Sequence, residues 1–483
     1  MNQDRLKQIA SISYTVLIAA VCTVPLVGAF FHWGSQSTEN RTMMSLPKLW
    51  EADEDSVKLN MEYTTKLADY YSEHFGFRQE LVTANATLNE TLFARSTNDK
   101  TTVGKDGWYF FNESLDDYTG GSALSERGIY RLQRTLDLMN QYAERGNITM
   151  IFFAAPNKNS VYPEFMPWHI RQSRAPSNLD RLTEAMAGSD YYIDMKQELL
   201  VLKESESHDI YLKHDSHWNN LGALAAYNAM QDNLNRRIAK FDYMPVSVSD
   251  SDLTETQITG DLTNTLYPSV QKTGLQYDLG LEKNFSSDRP LTDLMAEIST
   301  TCQGRYYTEI CYRDSFFNAL IGINSNGFAK ARYTRIFPYD MTAARNGGYN
   351  IAVVEIVERN LPKLLDNAPI MDAISVALPE IHNYVKSGQD CRFVDDGESL
   401  KLSGELGSWA KPEENSNIYI ELRDSSGKSH CYEAFPIYEG DGYNDNGFSI
   451  IISKYSLANG EYEAYLHVGN PEKSQYTELI FNS

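Results

Sequence analysis

Twenty-three consecutive residues near the N-terminus, Ile9 to Phe31, carry no charge. Wound as a helix at about 1.5 Å per residue, such a stretch is about 35 Å long and can cross a bilayer. It has no polar face to turn to water, which argues against the core helix of a soluble domain. Asp4, Arg5 and Lys7 precede it, and the two cations set that end on the cytoplasmic side, so the rest of the chain is expected outside. The competing reading is a cleaved signal peptide with Val27-Gly28-Ala29 as the small-residue site. The apolar run exceeds the usual length of about 7–15 residues, which favours an uncleaved, single-pass membrane anchor. The expected layout is a cytoplasmic tail at 1–8, the anchor at 9–31, a stalk with entry helices at 32–100, a catalytic domain at 101–387 and a β-sandwich at 388–483.

The remaining length, out of 483 residues, is too great for one ordinary domain. Acidic residues outnumber basic ones 65 to 43, and no Lys/Arg cluster offers a phosphate-binding surface, which excludes a nucleic-acid partner. In an oxidising compartment Cys302, Cys311, Cys391 and Cys431 fall into two local pairs, and 302–311 and 391–431 are the expected bridges, with four free thiols as the alternative. The chain has no CxxC or Cys/His cluster of the zinc type.

Between these ends the pattern alternates. Trp108 to Phe111, Thr149 to Ala155 and Tyr349 to Val357 read as buried strands, and Tyr191 to Ile193 as a short one. Glu126 to Arg145, and the series Leu221, Leu224, Tyr227, Met230, Leu234, Ile238, read as amphipathic helices. Tyr63 to Leu92 is helix-compatible and broken at Gly76. Strand and helix in alternation predict an α/β sheet. Beyond Ser387 short alternating strands at 400–404, 418–422 and 462–466, with a less regular strand-like run at 448–452, are separated by turns, which predicts the sandwich.

Two junctions can carry chemistry. Ile210 to Lys213 reads as extended and leads through His214-Asp215-Ser216-His217-Trp218-Asn219 into a helix. An Asp two residues before a His can fix the imidazole tautomer and stabilise the imidazolium; the alternatives are a cap beside a packed His, or a metal set of His214, Asp215 and His217. Tyr306 to Tyr312 reads as a strand ending at Arg313-Asp314-Ser315, with a helical turn from Phe316. Ser315 is then either an exposed hydroxyl beside helix N-terminal amides or an N-cap.

Together the two elements resemble a known pattern. Asp215-Ser216-His217-Trp218-Asn219 is similar to the D-x-H-W-N motif of the SGNH-hydrolase-like polysaccharide O-acetyltransferases of the alginate type, AlgX and AlgJ, and Asp314-Ser315-Phe316 to that family's nucleophile block. Glu39-Asn40-Arg41 with Pro47, Gly107-Trp108-Tyr109-Phe110, Pro156-Asn157-Lys158, Tyr162-Pro163, Gly260-Asp261-Leu262 and Glu355 to Leu361 fit the same order, so the resemblance covers about residues 37–385. It implies a flavodoxin-like parallel sheet flanked by helices and a triad in permuted order, with Ser315 as nucleophile, His217 as general base and Asp215 as its orienter. The Ser315 amide with Asn318 would support the oxyanion. Arg313 departs from the Gly that precedes Asp-Ser in many relatives. The resemblance implies no cofactor and no metal, a cell-surface or exported polysaccharide as acceptor, and acetyl groups delivered by a polytopic membrane-bound O-acyltransferase. An acetyl esterase with the same triad, or a non-catalytic glycan-binding scaffold, are the other functions compatible with these residues. In the C-terminal domain Trp409, Tyr419, Tyr432 and Tyr438 are either glycan-stacking residues or ordinary core and surface.

Overall fold

The computed structural model describes residues 3–31, 33–34, 44–53, 56–249, 251–264, 266–270, 272–410, 412–439 and 444–482. Glu39, Asn40 and Arg41 lie outside these residues. Helix α1 spans Gln3–Phe31, and its segment Lys7–Ala29 is long and apolar enough to cross a membrane. Two further helices, Tyr63–His74 and Arg78–Phe93, flank Gly76, whose N–H donates to the Pro25 carbonyl at 2.9 Å.

The central sheet contains Thr149–Ala155 (β1), Phe285–Ser287 (β2), Ile298–Cys302 (β3), Thr308–Tyr312 (β4), Lys330–Thr334 (β5) and Ile351–Val357 (β6). Their order is β1-β6-β4-β5-β3-β2. The first four are parallel; β3 and β2 add an antiparallel edge. β1 is a nearly continuous apolar run, and β6 one interrupted only by the buried Glu355, because both faces are covered. Met150, Phe152 and Ala154 face a core shared with α2 (Glu126–Arg145), and Ile151, Phe153 and Ala155 one shared with α3 (Asn220–Arg237). Ser125 caps α2 by accepting from the Gly128 N–H at 2.9 Å. The expected strand at 191–193 is a single bridge between Phe152 and Tyr192.

The C-terminal part differs from an open sandwich. Gln389–Asp395 (β7), Ser399–Glu405 (β8), Asn417–Asp424 (β9), Ser429–Glu439 (β10), Asn444–Ser453 (β11), Tyr462–Asn470 (β12) and Lys473–Asn482 (β13) close into a ring in the order β10-β9-β12-β13-β7-β8-β11 and back to β10. The long strands β10 and β13 each pair with one layer along their first half and the other along their second, which turns two layers into a seven-stranded barrel. Ile374–Val376 and Ile381–Tyr384, upstream of 388, also pair with this body. Tyr419 and Tyr432 are buried, Trp409 packs against the barrel core and donates to Gln389, and Tyr438 lies under Arg131, so these four residues form no open stacking platform.

Helix α2 docks on the barrel. Arg134 makes a bidentate pair with the buried Glu433, both contacts 2.5 Å, Tyr130 donates to Asn417 at 2.7 Å, and Arg127 donates to the Ser416 carbonyl at 3.0 Å.

Neither expected disulfide forms; all five cysteines are free. Cys302 on β3 and Cys311 on β4 have β5 between them, and two strand spacings, about 9.6 Å, exceed the span of a disulfide. Cys391 points into the barrel core, whereas Cys431, next to the inward Tyr432, points out.

Candidate active site

The site lies outside the carboxyl ends of the parallel strands. The chain at 210–219 does not run straight from strand to helix. Tyr211 bridges Trp218, the Leu212 N–H donates to His217 O at 3.1 Å, and the Asn219 N–H to Ile210 O at 3.0 Å. This narrow hairpin holds Asp215 and His217 at its tip. Asn219 then caps α3, its side-chain oxygen accepting from the N–H groups of Leu221 and Gly222 at 2.9 and 3.2 Å. Trp218 reaches across to the second element and donates to the Phe316 carbonyl at 2.9 Å.

Ser315 follows β4 on a tight turn. Asp314 fixes that turn: its carboxylate accepts from the N–H groups of Phe316 (2.8 Å) and Val357 (2.7 Å), joining the ends of β4 and β6. The Asp314 N–H donates to the fully buried Glu355 at 2.8 Å. Burial, with the Asp314 charge beside it, pushes the Glu355 pKa well above its ordinary value.

Ser315 Oγ lies 2.8 Å from His217 Nε2, and Asp215 Oδ1 lies 2.6 Å from His217 Nδ1. Asp215 Oδ1 also accepts from the His217 N–H at 3.0 Å, and Oδ2 from the Asp261 N–H at 2.9 Å. Asp261 accepts from the Ser216 N–H and hydroxyl at 2.8 and 2.6 Å. Burial alone would lower the His217 pKa, but its bond to Asp215 and the Asp215 charge outweigh burial and raise it. Asp215, which burial would push up, is held below the usual carboxylate range by the same bond. Asp261 is raised, by burial and then by the Asp215 charge.

Gly260 explains how Asp261 comes so close: a Cβ there would sit 1.9 Å from the His214 carbonyl oxygen. His214 itself turns away, with Nδ1 3.0 Å from Thr273 O and its ring against Tyr109. The set His214, Asp215 and His217 therefore does not converge on a metal position. Ligand atoms of Asp215, His217 and Asp261 do lie within 4.8 Å of one another, and both carboxylates also accept from N–H or O–H donors.

Asn318 has its side-chain oxygen taken by Arg313 at 2.6 Å, so only its NH2 end is left to donate. Arg313 is buried and also donates to the Leu294 carbonyl at 3.2 Å. It therefore braces the turn that carries Ser315. The Ser315 N–H has no partner among the described residues. Asp261 and Glu355 enter the site from segments quoted in the sequence only as supporting motifs; nothing local to either marks its contact with Asp215 or Asp314.

Residues 101–289 match the family model described as SGNH hydrolase-like domain, acetyltransferase AlgX. Over this segment the chain is similar to SGNH hydrolase-like acetyltransferase domains of the AlgX type. The match takes in Asp215, His217 and Asp261 and stops short of Ser315. No curated protein matches the chain. Among solved structures, the chain is similar to PatB1 of Bacillus cereus, at 16% identity over 53% of this chain and 95% of that one, TM-score 0.41. The O-acetyltransferase domain of Pseudomonas putida AlgJ is similar at 16% identity over 54% and 92%, TM-score 0.37. Pseudomonas aeruginosa AlgX is similar at 12% identity over 80% and 98%, TM-score 0.29. Likeness this distant transfers no residue's role.

Proposed function

We propose that the chain is an extracytoplasmic, membrane-anchored O-acetyltransferase acting on a polysaccharide through Ser315, His217 and Asp215. The observation that carries this reading is the unbroken relay from Ser315 Oγ through His217 to Asp215, at 2.8 and 2.6 Å. Ser315 Oγ attacks the acetyl carbonyl while His217 Nε2 takes its proton. The Ser315 N–H and the Asn318 NH2 face the developing oxyanion. The tetrahedral intermediate collapses, the leaving oxygen takes the proton from His217, and an acetyl-serine remains. A sugar hydroxyl then gives its proton to His217 and attacks the ester, restoring Ser315. Asp215 stays ionised throughout and holds the imidazolium.

The donor is an acetyl carrier presented at the membrane by an O-acyltransferase, and α1 keeps the site within its reach. Residues 101–387 hold all the residues of this chemistry; the barrel provides the body on which α2 is docked.

The test uses one small acetyl ester with and without a glycan acceptor. Transfer to glycan, lost in Ser315→Ala and His217→Ala, with the double variant little worse than either single one, supports the reading. Release of acetate with no transfer assigns an esterase. Unchanged acetylation in Ser315→Ala leaves a scaffold.

A further inference from the structure

Lys158 is buried at the carboxyl end of β1, only 4% exposed, in an acidic chain where a lysine has little reason to leave water. It has no carboxylate within 4.0 Å among the described residues. Its Nζ instead donates to three carbonyls of one hairpin arm, Leu212 at 2.9 Å, Lys213 at 3.1 Å and Asp215 at 2.5 Å. Its three N–H bonds thus meet three acceptors, as an ammonium requires and a neutral amine cannot match. The rings of Trp108 and Phe110 lie 5.5 and 5.3 Å from Nζ and close the remaining sides. Three carbonyls in a tight turn point their negative ends at one spot, and without a cation between them they would repel.

We propose that Lys158 is the positioning residue of the Asp215–His217 pair, its ammonium gathering the carbonyls of Leu212, Lys213 and Asp215 so that the Asp215 carboxylate is presented to His217. This rests on the triad reading above. Lys158 touches no reacting atom; it acts through the backbone of Asp215. The other charged and titratable groups around it are Asp215 and Asp261, whose charges favour its protonated form, Lys213, which shares the Trp108 ring at 5.8 Å, and His214, whose own pKa the Lys158 charge helps to lower after burial. Burial nevertheless dominates and lowers the Lys158 pKa to about 7. The hairpin therefore loses its third anchoring N–H as the pH rises above that value. Over the same range the folded chain holds fewer protons at Lys158 than the unfolded chain, whose lysine titrates near 10.5, so this group's contribution to stability rises with pH. Activity falling while stability rises distinguishes positioning from a merely structural role.

The experiment compares Lys158→Met and Lys158→Arg with the full chain in detergent, with Ser315→Ala alongside. Lys158→Met should lower kcat on a small acetyl ester by on the order of 100-fold with KM changed less than about threefold, as expected of misplaced catalytic groups. Deuterium uptake should quicken at residues 210–219 and not elsewhere. Lys158→Arg, which keeps the charge, should recover part of both effects. A folded Lys158→Met chain with kcat within about twofold of the parent and unchanged uptake at 210–219 would overturn the proposal. If Lys158→Met does not fold, the parent decides: a fall in kcat/KM above about pH 7 without loss of thermal stability supports it, and a profile flat from there to about pH 9 overturns it. The uptake readout does not depend on Ser315, so activity surviving in Ser315→Ala would sink the triad reading while local uptake still judges Lys158.

Discussion

Replacing Asp215 by Asn removes a charge while keeping the shape, and the hydrogen bonds around it set the size of the effect. Oδ1 takes two donors, His217 Nδ1–H at 2.6 Å and the His217 N–H at 3.0 Å, whereas Oδ2 takes one, the Asp261 N–H at 2.9 Å. An Asn amide must place its oxygen on one side and its NH2 on the other. With the oxygen at the Oδ1 position, two bonds survive and the NH2 opposes one N–H. Turned over, the oxygen keeps the Asp261 N–H, the NH2 donates to an Nδ1 that has lost its proton, and His217 is left in the tautomer that cannot take a proton from Ser315. Each arrangement then keeps two bonds and opposes one N–H, so about half of the molecules hold the productive tautomer and the tautomer itself costs about twofold. The rest of the loss is that of a charge-assisted bond, about 1.5–3 kcal/mol, and the two together predict a fall in kcat of about 20- to 300-fold. That is far short of the roughly 10,000-fold fall that a wrong tautomer causes in a Ser-His-Asp protease. With the negative charge gone, the His217 pKa falls, because Asp215 is what raises it above 6.5. The acid limb of the kcat profile, where His217 must be neutral to act, should therefore move to lower pH. Kinetics on a chromogenic acetyl ester across pH 4–9 would measure both. A fall beyond about 3,000-fold in a folded variant, or an acid limb that stays in place, would refute the reasoning.

Arg134→Met should destabilise the chain by about 3–5 kcal/mol because it strands the buried Glu433 carboxylate, and Arg134→Met with Glu433→Leu should recover most of that loss in equilibrium unfolding. Gly260→Ala should abolish activity and lower Tm, since its Cβ would meet the His214 backbone at 1.9 Å, a contact that no side-chain movement can relieve; a fully active alanine variant would show that the Asp261 contact to Asp215 is dispensable. Thiol titration of the unfolded, unreduced chain should count five thiols; a count of three would restore one of the expected bridges, and a count of one would restore both.

Legibility in the sequence followed the range of each interaction. The Asp215-x-His217 spacing is local, and the hydrogen bond it suggests is present. The strand-like runs at β1 and β6 announce themselves because both faces are apolar but for Glu355. The partners of Asp215 that come from Gly260-Asp261 and from Lys158 depend on where loops cross, and no periodicity encodes that. Cysteine parity suggested two bridges, but pairing depends on which strands are neighbours, and β5 inserts between Cys302 and Cys311 from a later point in the chain. The barrel was missed for a related reason: closure depends on how far β10 and β13 bend, and alternation of side chains is the same in an open sheet and a closed one.

The Val357 N–H that clamps Asp314 comes 42 residues after Ser315 and 140 after His217. A chain emerging from the ribosome thus presents the Asp215–His217 hairpin first and the Ser315 turn about 100 residues later, and cannot complete the clamp until β6 has joined the sheet between β1 and β4. Until that last insertion the Ser315 turn lacks its Val357 clamp, so on the reading proposed above the hydroxyl is not yet held against His217.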